Sequence, residues 1–172
     1  MGDVKIRSSV RADGPRVREL RLEALRLNPL AFTADLAEAQ AKPMQYWDDV
    51  AERGGIGTGR QVIIVAEASR ELVGMTGVWS EPRPKRAHIG GIWGVYVRQS
   101  ARGRGIGEAM ICAALDWARS QELAILQLGV TACNHSAKRC YERCGFVVYG
   151  VEPMAVQYEG QYYDEFLMAC RL

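Results

Sequence analysis

At 172 residues with 48% hydrophobic content, the chain has the length and the apolar material of one domain, taken here as 1–172. A net charge of +2 is too small for an electrostatic nucleic-acid binder. No apolar run approaches the ~20 residues of a membrane span, and Met1-Gly2-Asp3-Val4-Lys5 lacks a signal-peptide core. Five cysteines, an odd number without a C-x-x-C spacing, argue against a disulfide framework or zinc ribbon and fit a reducing cytoplasm. The expected setting is therefore cytoplasmic, with no nucleic acid or membrane as partner, as a monomer or homodimer.

Residues 4–10 alternate and form a first strand. Asp13 can cap a helix with Pro15 in its first turn; Val17, Leu20, Ala24 and Leu27 make its apolar face, and Asn28-Pro29 ends it. Residues 33–40 give a helical turn or two. A second helix, 43–53, turns Met44, Tyr46 and Trp47 inward and stops at Gly54-Gly55, before a flexible loop at 54–59. Residues 61–68, with the run Val62-Ile63-Ile64-Val65, pair with 72–80 as a hairpin. A loop at 81–86 carries Pro82 and Pro84. The long strand 87–97 contains Gly90, Gly91 and Gly94, which are costly unless something approaches closely or the strand bulges. Beyond it a helix begins at Ile106, with Met110, Ala113 and Trp117 at helical spacing. A strand at 123–130 follows. Asn134 caps another helix, whose Ala137, Cys140, Tyr141 and Cys144 share one face and which Gly145 stops. A strand at 146–151, a polar loop through Gly160 and a last strand at 161–171 complete a mixed, mostly antiparallel sheet covered by helices on both faces.

The stretch Val95-Tyr96-Val97-Arg98-Gln99-Ser100-Ala101-Arg102-Gly103-Arg104-Gly105-Ile106-Gly107 runs from strand through a glycine turn into a helix start. The first N–H groups of a helix have no intrahelical partner and carry partial positive charge, so this geometry cradles phosphate. Arg102 and Arg104 add full charges, and the glycines let backbone approach a ligand. A P-loop requires Lys-Ser or Lys-Thr after the glycines, and a dinucleotide fingerprint requires a glycine where Glu108 stands. Both spacings fail, which leaves Arg102-x-x-Gly105-x-Gly107.

This motif resembles the coenzyme A pyrophosphate loop of the GNAT superfamily of N-acetyltransferases. The stretch from Asn134 to Phe146 is similar to that family's second signature, N-x-x-A-x-x-x-Y-x-x-x-G-F, with every fixed position present. The resemblance covers 87–149. It implies an α/β (α+β) GNAT fold, with a sheet of six to seven strands, about four helices and a splay between the fourth and fifth strands. It also implies acetyl-CoA as cosubstrate and no metal. Backbone groups of Val95, Tyr96 and Val97 would hold the pantetheine and polarise the thioester. Arg102, Gly103, Arg104, Gly105, Ile106 and Gly107 would hold the pyrophosphate. Asn134 and Ala137 would contact the cofactor, and Tyr141 would protonate the leaving thiolate; its other reading is a core aromatic.

The expected reaction is acetyl transfer by direct attack of a primary amine, on a small molecule or a peptide, in a ternary complex. The alternative is an acyl-CoA-binding module without turnover, and a nucleotide-binding protein is a distant third. No Asp or Glu stands between Glu81 and Glu108 to serve as base. That leaves a water chain to a distant carboxylate, His88, or an acceptor that arrives neutral. His135 reads as solvated. Cys133, Cys140 and Cys144 with His135 read as ordinary cysteines on a helix face rather than a metal cluster. Tyr158, Tyr162, Tyr163 and Phe166 either border the acceptor site or pack the last hairpin. The acceptor is expected at a mouth lined by residues 28–41, 81–86 and 152–165, where Asp35, Glu38, Glu81, Glu152, Glu159, Asp164 and Glu165 would attract a cationic amine.

Overall fold

In the computed structural model, residues 4–54 and 60–172 are described, so most of the expected loop at 54–59 lies outside the described residues. The apolar run at 62–65 becomes the centre of β2 (Gln61–Ala68), which pairs with β3 (Glu71–Ser80). The two-residue turn between them places Ser69 and Arg70 at φ 50° and 69°, the left-handed pair that matches strand twist in tight hairpins. β1 (Lys5–Ser8) joins one side of this hairpin and β4 (Ile89–Val97) the other. β5 (Ile125–Thr131), β6 (Val147–Tyr158) and β7 (Gln161–Arg171) form the other half of the sheet. The strand order is β1-β2-β3-β4-β5-β7-β6, antiparallel except for a parallel β4–β5 contact. Among the described residues there are five α-helices: α1 (Gly14–Leu27), α2 (Leu36–Ala41), α3 (Met44–Arg53), α4 (Ile106–Ser120) and α5 (His135–Arg143). The short α2 is the extra element beyond about four.

Two cores sandwich the sheet. Leu20 and Val17 of α1 and Trp47 and Val50 of α3 pack against Ile63, Val65 and Met75 on one face. Met110, Ile111 and Ala114 of α4 and Tyr141 of α5 pack against Leu126, Val130, Phe146 and Met168 on the other. Several faces differ from expectation. Leu27 and Met44 are exposed, and the buried stripe of α1 instead runs through Arg21 and Leu25. Around α4 the stripe is wider than one residue per turn, so Ile111, Ala114, Leu115 and Ala118 are buried while Ala113 and Trp117 are half-buried. The polar loop expected after residue 151 is strand. β6 continues to Tyr158, with register shifts between Val148 and Gly150 and between Glu152 and Val156. An edge strand tolerates polar side chains and a proline at a bulge, and Pro153 stands within the second irregularity.

Asp13 does not cap α1 with its side chain. Its carboxylate is fully buried and accepts hydrogen bonds from Val10 N (2.9 Å), Arg7 Nη1 (2.6 Å), Arg7 Nη2 (3.1 Å) and Arg16. Burial pushes its pKa up, but the Arg7 hydrogen bond, the Val10 N–H and both arginine charges outweigh that and hold it at about 2. A depressed carboxylate contributes stability above its unfolded value, ~3.9, and loses it as pH falls through the folded value. Asp13→Asn should therefore lower unfolding free energy at pH 7 by about 2–3 kcal/mol, read by urea denaturation. The gap from wild type should close between roughly pH 4 and 2, and a gap that persists unchanged at acid pH would show the ion pairs to be irrelevant.

Candidate active site

The parallel contact between β4 and β5 is confined to Ile89–Gly91 against Ile125–Gln127. Beyond it the strands separate, while β4 stays zipped to β3 as far as Val97 and β5 to β7 as far as Thr131. The facing backbone edges of 92–97 and 128–131 are thus left without a strand partner, an arrangement that calls for an outside donor and acceptor. Close approach accounts for two glycines of β4, while Gly94, at φ 66°, sits at the register shift with β3. A Cβ at Gly90 would stand 2.6 Å from Leu123 and one at Gly91 2.5 Å from Trp79. A cavity of about 460 Å³ fills the wedge, bounded by both strands, the first turn of α4 and the pocket-facing side of α5.

The cradle lies at one end. Gly103 and Gly105 both have φ 73°, and Gly105 is the left-handed residue from which α4 starts. The first intrahelical bond runs from Ala109 N to Gly105 O (2.9 Å), so the N–H groups of Ile106, Gly107 and Glu108 precede the helical ladder. Arg102 is pinned to the end of β4: its Nε donates to Val97 O (2.9 Å) and its guanidinium lies 5.8 Å from the Tyr96 ring centroid. Arg104 is exposed. Glu108, an acid beside a phosphate cradle, is neutralised by Arg143 of α5 at 2.6 Å.

On α5, the Asn134 side-chain oxygen accepts from Ala137 N (3.2 Å), which makes it the N-cap expected from the sequence. Tyr141 is 6% exposed, borders the cavity and packs near Phe146. Burial, more than the neighbouring Cys140 and Cys144, pushes its pKa well above the usual phenol value, so the hydroxyl keeps its proton through neutral pH. Burial likewise raises the Cys140 thiol, and raises Cys144 to about 12. Among the described residues no three His, Cys, Asp or Glu side chains could share a metal ion. His88 and His135 are both exposed.

The opposite face of the wedge is where α1 and the turn after it close over the strands. Thr131 Oγ1 donates to Leu30 O (2.6 Å), tying the 3₁₀ turn Pro29–Ala31 to β5. Asn28, Ala31 and Phe32 line the cavity, and nothing of 81–86 does. Three of the seven expected acids are committed elsewhere, and none of the seven lines the cavity. Glu81 is bound by Arg83 (2.7 Å) and Arg86 (3.8 Å), and Asp35 caps α2 through Glu38 N. Asp164 accepts from Met154 N (2.9 Å). The tyrosines of the last hairpin stay outside the cavity, and Phe166 lies under Lys138 on the α5 side. Glu165 is different. It stands opposite Thr131 on β5 and opposite Glu152 on β6. Its Oε2 would be only 2.7 Å from a Cβ at Gly129, so the missing side chain of a cavity-lining residue is what admits this carboxylate. Burial first, then the charge of Glu152, push its pKa above the ordinary glutamate value.

Arg21 was not marked by its sequence context. Its position, four residues from both Val17 and Leu25 on a buried stripe, was the available signal. It is 8% exposed, with its guanidinium carbon 4.8 Å from the Phe32 ring centroid and 5.5 Å from that of Trp93. Burial pulls its pKa down to about 10.

The family model described as Acetyltransferase (GNAT) family matches residues 21–146, which include both the cradle and the α5 signature. The chain belongs to this family. As a GNAT protein it is an acetyltransferase with acetyl-CoA as acyl donor. It is 28% identical over 139 residues to an L-methionine sulfoximine/L-methionine sulfone acetyltransferase of Pseudomonas aeruginosa, covering 80% of this chain and 75% of that one. It is 32% identical over 120 residues to a mycothiol acetyltransferase of Thermomonospora curvata, covering 70% of this chain but 35% of that longer protein. A GNAT acetyltransferase from Streptococcus pneumoniae superposes with a TM-score of 0.85 at 20% identity, over 99% of both chains. A putative acetyltransferase from Salmonella typhimurium, solved with its cofactor acetyl-CoA, does so at 0.79 and 19% identity, over 99% of this chain and 94% of that one. These two likenesses speak to the fold.

In this GNAT enzyme a side chain at Gly105 would meet nothing within 4 Å, so within the protein the cost of replacing it is its left-handed φ. Gly105→Val should weaken coenzyme A binding by about tenfold or more, ~1.4 kcal/mol, with the melting curve still cooperative. Calorimetry that returns wild-type affinity in the folded variant would remove the cradle from the cofactor site.

Proposed function

We propose that this GNAT enzyme transfers the acetyl group of acetyl-CoA to the primary amine of a small molecule, by direct attack in a ternary complex. What carries the reading is the wedge itself, with a helix-start cradle at one end and, beside cavity-lining Gly129, the carboxylate of Glu165, unpaired among the described residues. The relatives named for methionine sulfoximine and mycothiol support a small acceptor over a peptide.

The residues present fit the donor. Positive-φ glycines and the free N–H groups of Ile106 and Gly107 suit a pyrophosphate, with Arg102, Gly103, Arg104 and Gly105 completing the cradle. The open edge of β4 at Val95 and Val97 suits the amide groups of pantetheine, and Asn134 and Ala137 stand at the start of α5 beside it. Tyr96 offers backbone only, because its hydroxyl donates to Glu23 Oε1 (2.8 Å) across the α1 interface. Acetyl-CoA supplies an activated thioester. Tyr141, buried and protonated, holds a proton at Oη for the departing sulfur. Glu165 accepts the proton of the incoming ammonium, which answers the absence of an acid on β4. Its raised pKa makes it a better base than an exposed carboxylate.

Free-thiol release from acetyl-CoA over a panel of primary amines tests the reaction, and release on none of them would end it. Tyr141→Phe should lower kcat by ~10²-fold with coenzyme A affinity held; equal turnover would return Tyr141 to a packing role. For Glu165 the sign of the pH effect is fixed. A base works deprotonated and its pKa is raised, so kcat/KM should fall on acidification through a limb above the ordinary glutamate range. In Glu165→Gln that limb should vanish, with activity reduced ~10²-fold. An unchanged pH profile in the variant would exclude Glu165 as the base.

A further inference from the structure

Arg21 is a buried charge that acetyl transfer leaves unused, and its surroundings are those of a ligand site. Arg7, Arg83, Arg98 and Arg143 each bind a carboxylate. Among the described residues Arg21 has no such partner, and its Nη1 is buried without any hydrogen bond. A guanidinium removed from water and left unpaired is costly. The two rings of Phe32 and Trp93 offset part of that through their π faces and fix the plane of the group. They do not satisfy its N–H donors. Those donors face the cavity side: Nη1 stands 3.4 Å from where a side chain at Gly94 would begin, and Gly94, Phe32 and Trp93 all line the cavity.

We propose that Arg21 binds the carboxylate of the acceptor, and that the acceptor is therefore an amino acid. The inference rests on the transfer reading above and adds the acceptor's second functional group. A planar fork held between two aromatic rings matches a carboxylate in geometry and charge, and a bound carboxylate satisfies the orphan donor. One cationic and one anionic group then stand beside lining glycines of the cavity: Arg21 of α1 at Gly94 for the carboxylate, and Glu165 of β7 at Gly129 for the ammonium. A zwitterion is oriented by that pair, with its nitrogen presented to the splayed strands. It also explains why an arginine occupies a core-facing position of α1 where Val17 and Leu25 flank it.

The experiment compares L-amino acids, the standard set plus L-methionine sulfone, with their primary carboxamides. kcat/KM is measured for each pair by thiol release in wild type, Arg21→Met and Arg21→Lys. Wild type should prefer the acid, and the acid-to-amide ratio should fall at least tenfold in Arg21→Met, with Arg21→Lys between them. The ratio cancels differences in amine basicity and any general loss from repacking. An unchanged ratio, or a wild type that prefers amides, overturns the proposal. Should the variants fail to fold, wild type alone decides through thermal shift with the amine-free carboxylic acids and their amides, in the presence of coenzyme A. Stabilisation by the acids and not the amides upholds the Arg21 site even if no amine is acetylated, an outcome that would sink the transfer reading instead. Equal or absent shifts for acids and amides overturn the site.

Discussion

Three residue pairs of parallel sheet join β4 to β5, and the cavity depends on the ladder stopping there. Had β4 and β5 stayed paired to their ends, every backbone group between them would be satisfied and no cavity would exist. On the outer edges β3 pairs with β4 as far as Val97, with a register shift at Gly94–Val95, and β7 pairs with β5 as far as Thr131. The result is a pair of strand edges inside the sheet that are open to an outside donor and acceptor.

Something other than β5 must hold the free end of β4, and α1 does so. Tyr96 donates to Glu23, and the Arg98 guanidinium reaches Glu23 (3.1 Å) and Glu19 (2.7 Å). Burial, with Glu23 as hydrogen-bond acceptor and negative neighbour, pushes the Tyr96 phenol up to about 12 and keeps that bond protonated. Thr131 performs the matching task on β5 through the Leu30 carbonyl. The splay is therefore braced from the same side on both strands. The brace comes from α1 and the turn that follows it, and Ala31 of that turn also lines the cavity.

The two ends of the wedge work by different physics. At the cradle the donors are backbone N–H groups and the partial charge of a helix start, which need glycine conformation and little else. At the other end the notable groups are side chains from α1, β4 and β7, each partly or wholly removed from water. Low exposure makes their charges strong and their pairing consequential, as the shifted Arg21 and Glu165 both indicate.

What the sequence determined by itself was whatever a few neighbouring residues control. The β2–β3 hairpin, the glycine-led start of α4, the Asn134 cap and the bounds of β7 at Gln161–Arg171 were all legible, because turn chemistry, capping and alternation act over a handful of positions. Both cofactor motifs were legible for the same reason: a strand, a turn and a helix start are contiguous. The acceptor end was not. Of the seven acids named there, the fold sets Glu165 over Gly129 while Arg83 engages Glu81 and Asp35 caps α2. Nothing local in the sequence marks Arg21, whose neighbours Phe32 and Trp93 come from two other elements. The Thr131–Leu30 bond spans 101 residues of chain. Burial, pairing and the absence of a partner are properties of what surrounds a side chain in space, and those surroundings come from segments that local sequence does not join.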